Sequence, residues 1–139
     1  MTRAADSTFI DTGAWIALAL TADPYHDRAK SAWATLAAAG TRLFTSIPVV
    51  IETFTFLDRN ATRPVATAWR DQVTGLRRLQ ILECSLTDLT KSWAWFEQPR
   101  LVRLSAVDAT SFSLMRRLRI RTAFAFDQHF AQAGFQVLG

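Results

Sequence analysis

Cys84 is the only cysteine in this chain of 139 residues, so the chain can form neither an internal disulfide nor a cysteine-rich metal site. Lysine is nearly as scarce: Lys30 and Lys91 stand alone, and arginine carries almost all of the positive charge. Long hydrophobic runs are missing too. The longest, residues 14–20, falls far short of the roughly 20 apolar residues that span a bilayer, and no charged segment with a cleavage site precedes it. Histidine is limited to His26 and His129, in no zinc-like spacing. No repeat, low-complexity tract or linker divides the chain. The expectation is a soluble cytoplasmic protein that folds as one domain over residues 1–139, with no membrane partner.

What is present is a core-forming composition, 50% hydrophobic with five Trp, which at this length can bury a substantial interior. Lys and Arg total 16 against 12 Asp and Glu, a net charge of +4. The planar fork of arginine suits phosphate. Coding bias produces the same Ala- and Arg-rich composition, so charge alone assigns no partner.

Short apolar strands alternate with helical patterns along the chain. Strands are expected at 8–10, 43–45, 79–82, 122–126 and 135–138, and helices at 14–20, 26–39, from Ser46 to about Leu57, 64–76, about 87–96, from near Ala106, and 128–133. Ser46 is placed to cap its helix, with Pro48 in the first turn. On that helix Val50, Ile51, Phe54 and Leu57 form the expected apolar stripe, which puts Glu52 at its margin. Ser105 and Asp108 have the spacing of a capping box. This alternation implies an α/β fold, a three-layer α/β/α sandwich around a mainly parallel central sheet, whose ligands bind outside the carboxyl ends of the strands.

Four acids fall at those ends. Asp11 closes Thr8-Phe9-Ile10 and Asp127 closes Phe124-Ala125-Phe126, while Glu52 and Asp108 lie near the starts of helices. Each has an ordinary explanation alone, as a cap, a turn residue or a solvated helix position. In a parallel sheet, however, all four share one edge. Carboxylates beside core segments are costly unless paired, so their convergence indicates a bound cation or raised pKa values. A small hard dication, magnesium or manganese, suits oxygen ligands of this kind.

Taken in order, Phe9-Ile10-Asp11-Thr12-Gly13-Ala14-Trp15, the Glu52 helix preceded by Thr45-Ser46, Leu104-Ser105-Ala106-Val107-Asp108-Ala109, and Phe126-Asp127-Gln128-His129-Phe130 with Gly134-Phe135 resemble the PIN domain family, and within it the VapC-type toxins. The resemblance covers nearly the whole chain. It implies a metal-dependent endoribonuclease with Asp11, Glu52, Asp108 and Asp127 as catalytic and metal-binding residues, an RNA substrate, a cognate antitoxin and usually a homodimer. Asp11, Asp108 and Glu52 are the principal ligands on this reading, and Asp127 either binds a second metal or orients the attacking water. Gly13 is a departure, since many relatives carry Ser there. Two alternatives stand beside it: a PIN-fold module that binds RNA or protein without cleaving, and a phosphatase or phosphotransfer domain with Asp11 as nucleophile.

The remaining polar residues have bland readings as well as functional ones. His129 reads as a packing residue beside the final turn, with general base or metal ligand as the alternative, and His26 has less support still. Ser46 and Thr12 could position a phosphate, although capping accounts for Ser46. Arginines cluster at Arg116, Arg117, Arg119 and Arg121, at Arg77 and Arg78, and at Arg100 and Arg103. Such clusters are usually solvated faces, and alternatively guide RNA. Trp93, Trp95 and Phe96 read as core or dimer packing, with base stacking the alternative.

Overall fold

A computed structural model describes residues 7–139. Five strands form one sheet in the order β3-β2-β1-β4-β5, with every neighbouring pair parallel. They are β1 (Ser7–Ile10), β2 (Arg42–Ser46), β3 (Leu79–Leu82), β4 (Thr122–Phe124) and β5 (Gln136–Leu138). The helices between them are α1 (Thr12–Ala19), α2 (His26–Ala38), α3 (Ile47–Asn60), α4 (Arg63–Thr74), α5 (Leu86–Ser92), α6 (Ala106–Leu118) and α7 (His129–Gln132). A 3₁₀ segment, Trp93–Glu97, extends α5.

The strand order decides where a ligand can bind. From β1 the chain steps outward to β2 and β3, then returns across the sheet to β4 on the other side of β1. Right-handed crossovers therefore place α1 to α4 on one face and α5 to α7 on the other. The packing agrees: α1 lies on α2 and α3, α3 on α4, and α5 and α7 on α6. Connections leave β1 and β4 in opposite directions, which opens a crevice beyond their carboxyl ends. Asp11 and Asp127 follow those two ends.

β1 is buried along its whole length, as a central parallel strand must be, with Phe9 facing Phe44 of β2 and Ala123 of β4 in register. On the α6 side, Phe112 packs edge-on against Phe130 at 4.9 Å. The opposite face holds Trp15 between Trp33 and Trp69, each with its ring centroid 5.9 Å away.

Two expectations need correction. The buried positions of α3 are Val49, Thr53 and Leu57, whereas Ile51 is 61% exposed. Polarity hid Thr53 from a purely apolar pattern. Its hydroxyl donates to the Val49 carbonyl at 2.8 Å, and so it enters the core with its polar group satisfied. Of the aromatics after α5, Trp95 packs against the core, but two others do not. Trp93 and Phe96 are exposed, because the 3₁₀ segment turns them away from the helical face that their spacing implied.

Candidate active site

Strand and cap geometry deliver the four acids to the crevice. Asp11 occupies the N-cap position of α1, and its backbone N–H donates to Phe124 O of β4 at 3.0 Å, so the two central strands fix it directly. Its side chain makes no cap bond. It is 3% exposed, and Oδ1 is buried with no hydrogen-bond partner among the described residues. Asp108 lies in the first turn of α6, where its N–H donates to Ser105 Oγ at 3.0 Å. The reciprocal bond of a capping box is present at Ser85 and Asp88 but not here. The Asp108 carboxylate instead lies 3.7 Å from Nδ1 of His129.

Asp127 projects from the loop after β4, and its Oδ1 accepts from the His129 backbone N–H at 2.9 Å. One oxygen of Asp108, one of Asp127 and a ring nitrogen of His129 lie within 4.8 Å of one another. Glu52, half-buried on α3, is not part of that close group but is near enough to raise the pKa of Asp11 and Asp108. It borders an apolar groove lined by Ile47, Ile51, Leu86 and Val107.

The electrostatics show that the four carboxylates sense one another. Burial, then Asp108, pushes the Asp11 carboxyl well above the usual range; the Thr12 N–H opposes this, and Glu52 and Asp127 add to it. Asp108 is pushed up to about 7 by burial first, then by Asp127 and Glu52, with His129 pulling the other way. Burial draws His129 down, but the Val102 carbonyl, Asp127 and Asp108 outweigh it and its pKa is raised. A concentration of unneutralised acceptors, one of them orphaned in the interior, is the arrangement that a cation relieves. The donor set is mostly hard oxygen and fits a small divalent ion.

The PIN domain profile matches residues 8–136. This chain belongs to the PIN domain family. It is 34% identical over 128 residues to the 23S rRNA-specific endonuclease VapC20 of Mycobacterium tuberculosis, in two strains, with 91% of this chain and 94% of the relative covered. The crystal structure of Mycobacterium tuberculosis VapC20, described as a sarcin-ricin loop cleaving toxin, superposes with a TM-score of 0.83 at 32% identity. That superposition covers 92% of this chain and 95% of the other. The α/β fold expected from the resemblance is thereby established.

Other residues of this PIN domain sort themselves by contact. Ser46 is a buried cap, accepting from the Val49 N–H at 3.3 Å, and needs no further role. Thr12 Oγ1 is buried next to Asp11 without a partner among the described residues. The His26 ring lies 2.7 Å from Ala17 O and joins α2 to α1. A Cβ at Gly13 would sit 3.9 Å from Asp11 Oδ2, an ordinary contact, so a side chain there would fit. His129 is the residue that sequence reasoning undervalued. Its spacing two residues after Asp127 was the available signal, and what gives it weight, the Val102 carbonyl 2.7 Å from Nε2, is distant in sequence.

Proposed function

We propose that this chain is a magnesium- or manganese-dependent endoribonuclease toxin of a type II toxin–antitoxin system, acting in the cytoplasm as a homodimer and restrained by a cognate antitoxin. One observation carries the reading: Asp108 and Asp127 meet with His129 near the switch point of a parallel sheet, within electrostatic reach of Glu52 and of Asp11, whose Oδ1 is buried without a partner among the described residues. The substrate we infer is the sarcin-ricin loop of 23S rRNA, on the strength of full-length likeness to VapC20. No helix of the described residues is long and apolar enough to cross a membrane.

In this reading Asp11, Asp108 and Glu52 hold the cation, and Asp127 either joins them at a second ion or orients the attacking water. When bound, the ion supplies charge neutralisation on the phosphoryl oxygens and lowers the pKa of water. The chain's own residues do the rest. Asp11 and Asp108 are themselves buried, at 3% and 6% exposure, so their charge acts in a poorly solvated setting. His129 holds Asp127 in place through the backbone bond to Oδ1. A module that only binds would gain nothing from the repulsion that this cluster maintains.

The test is direct. Purified protein is incubated with ribosomes and with a mixed RNA pool in magnesium or manganese, and the cut is mapped by primer extension. The reading predicts one dominant cut in 23S rRNA that a chelator abolishes. Failure to cut any RNA in either metal would favour the binding module.

A further inference from the structure

The arginine run at the end of α6 is divided by its contacts. Arg117 is committed, its Nε and Nη2 donating to the buried Asp88 at 2.9 and 3.2 Å. Arg116 turns elsewhere. Its guanidinium lies over the Trp95 ring, with Cζ 4.5 Å from the centroid. Trp95 is held in turn by edge-on packing against buried Phe112 at 5.0 Å and by donating its Nε1–H to Ser113 Oγ at 3.3 Å. The face of the Arg116 guanidinium is thus fixed against a rigid ring while its N–H edge has no protein acceptor among the described residues. An arginine immobilised in this way loses less freedom on meeting an anion.

A second arginine faces the same space. Arg100, from the loop between the 3₁₀ segment and α6, lines with Arg116, Gln98 and Gln132 a pocket of about 260 Å³ that no Asp or Glu enters. The sequence places Arg100 and Arg116 in separate clusters, and the fold joins them. The volume is below that of pockets that enclose drug-sized ligands, roughly 300–1,000 Å³, and suits a phosphate with part of its nucleotide. Arg116 follows Asp108 by eight residues on one helix, about 12 Å along its axis at 1.5 Å per residue, or three to four nucleotides of a stacked strand.

Resting on the ribonuclease reading, we propose that this pocket is a second RNA subsite, in which Arg100 and Arg116 take a backbone phosphate and the Gln98 and Gln132 amides hydrogen-bond the adjoining ribose or base. Paired forks suit a phosphate, and a contact remote from the carboxylates would set the register of the strand across them.

Binding of fluorescent RNA in chelator, across a salt series, tests this without cleavage. Arg100→Gln and Arg116→Gln should each weaken binding severalfold and reduce the slope of log K against log salt by about 0.7, the value for one phosphate of a single strand. Arg116→Lys should keep the slope and lose part of the affinity. Arg77→Gln, an equal charge change at an exposed position just before β3, should leave the slope near wild type. Unchanged slopes in the pocket variants, or an equal loss in Arg77→Gln, overturn the proposal. Wild type that cleaves RNA while pocket variants bind it normally refutes the subsite alone, whereas wild type that cleaves no RNA removes the ribonuclease reading beneath it.

Discussion

His129 donates its backbone N–H to Asp127 Oδ1 at 2.9 Å, while its ring Nδ1 lies 2.9 Å from the same oxygen without making a hydrogen bond to it. On the far side of the ring Nε2 sits 2.7 Å from the Val102 carbonyl. A carbonyl only accepts, so Nε2 carries a proton and Nδ1 is the nitrogen turned toward the acids. In its protonated form, which Asp127 and Asp108 favour, the ring is drawn to the Asp127 loop while Nε2 holds the segment leading into α6. His129→Ala should lower cleavage and divalent-metal affinity by about 10- to 100-fold, the usual cost of losing a residue that orients a ligand, while the fold persists. Metal titration and single-turnover cleavage check this, and unchanged values in both would return His129 to a packing role.

Thr45 forms a buried relay beneath Asp11. Its Oγ1 donates to Ile10 O at 2.9 Å and accepts from Trp15 Nε1 at 3.1 Å, joining β2, the end of β1 and α1. Thr45→Val keeps the shape and removes both bonds, taking from the buried indole N–H of Trp15 its acceptor. The expected loss is about 1–3 kcal/mol, read from urea unfolding. Stability equal to wild type would show that the relay contributes nothing.

The strands, the helices and their order were legible because each carries a local signal: apolar triplets such as Thr8-Phe9-Ile10, and caps such as Ser46 and Ser105. The four acids were legible because parallel strands send every carboxyl end to one edge. The residues that escaped act across the fold. Val102 matters through a backbone carbonyl that any residue would supply, and Thr53 is buried by a bond to its own helix. Arg100 and Arg116 share a pocket only because the 98–103 loop folds back over α6. Trp93 and Phe96 misled because their helical spacing continues into a segment that is no longer α-helical.

The acid cluster makes the metal-free protein less stable as pH rises. Below about pH 3.8, the ordinary Asp value, Asp108 is protonated folded or unfolded. Between there and about 7 the unfolded chain releases this proton while the folded state retains it, so stability falls; above about 7 the full cost stands. Asp11, also raised, contributes in the same direction. His129 acts in the same direction, since a raised histidine stabilises at low pH and loses that contribution as pH passes its folded value. The total is on the order of a few kcal/mol. Metal reverses the trend, because its ligands must be deprotonated. Melting in chelator should give a lower Tm at pH 8 than at pH 5, and added magnesium should raise Tm more at pH 8. A metal-free Tm that climbs across this interval would contradict the electrostatic account of the site.

Asp11→Asn separates the functional role of the cluster from its structural cost. The amide matches the carboxylate in volume, so the packing around a side chain that is 3% exposed is kept while one negative charge is removed. Burial and Asp108 both disfavour the ionised form of Asp11, and an uncharged residue escapes that penalty. The metal-free variant should therefore melt above wild type at pH 8, with a smaller gap at pH 5, where the raised pKa of Asp11 leaves less of the ionised form to penalise. Cleavage should move the other way. Losing a ligand of the cation is expected to cost several kcal/mol of transition-state stabilisation, and at about 1.4 kcal/mol per tenfold the rate falls by roughly a thousandfold or more. Both readouts come from one preparation: melting in chelator at the two pH values, and 23S rRNA cleavage in magnesium or manganese. A variant that melts lower than wild type at pH 8 would show that Asp11 stabilises the fold through contacts its amide cannot make, and a variant that still cleaves at the wild-type rate would remove Asp11 from the site.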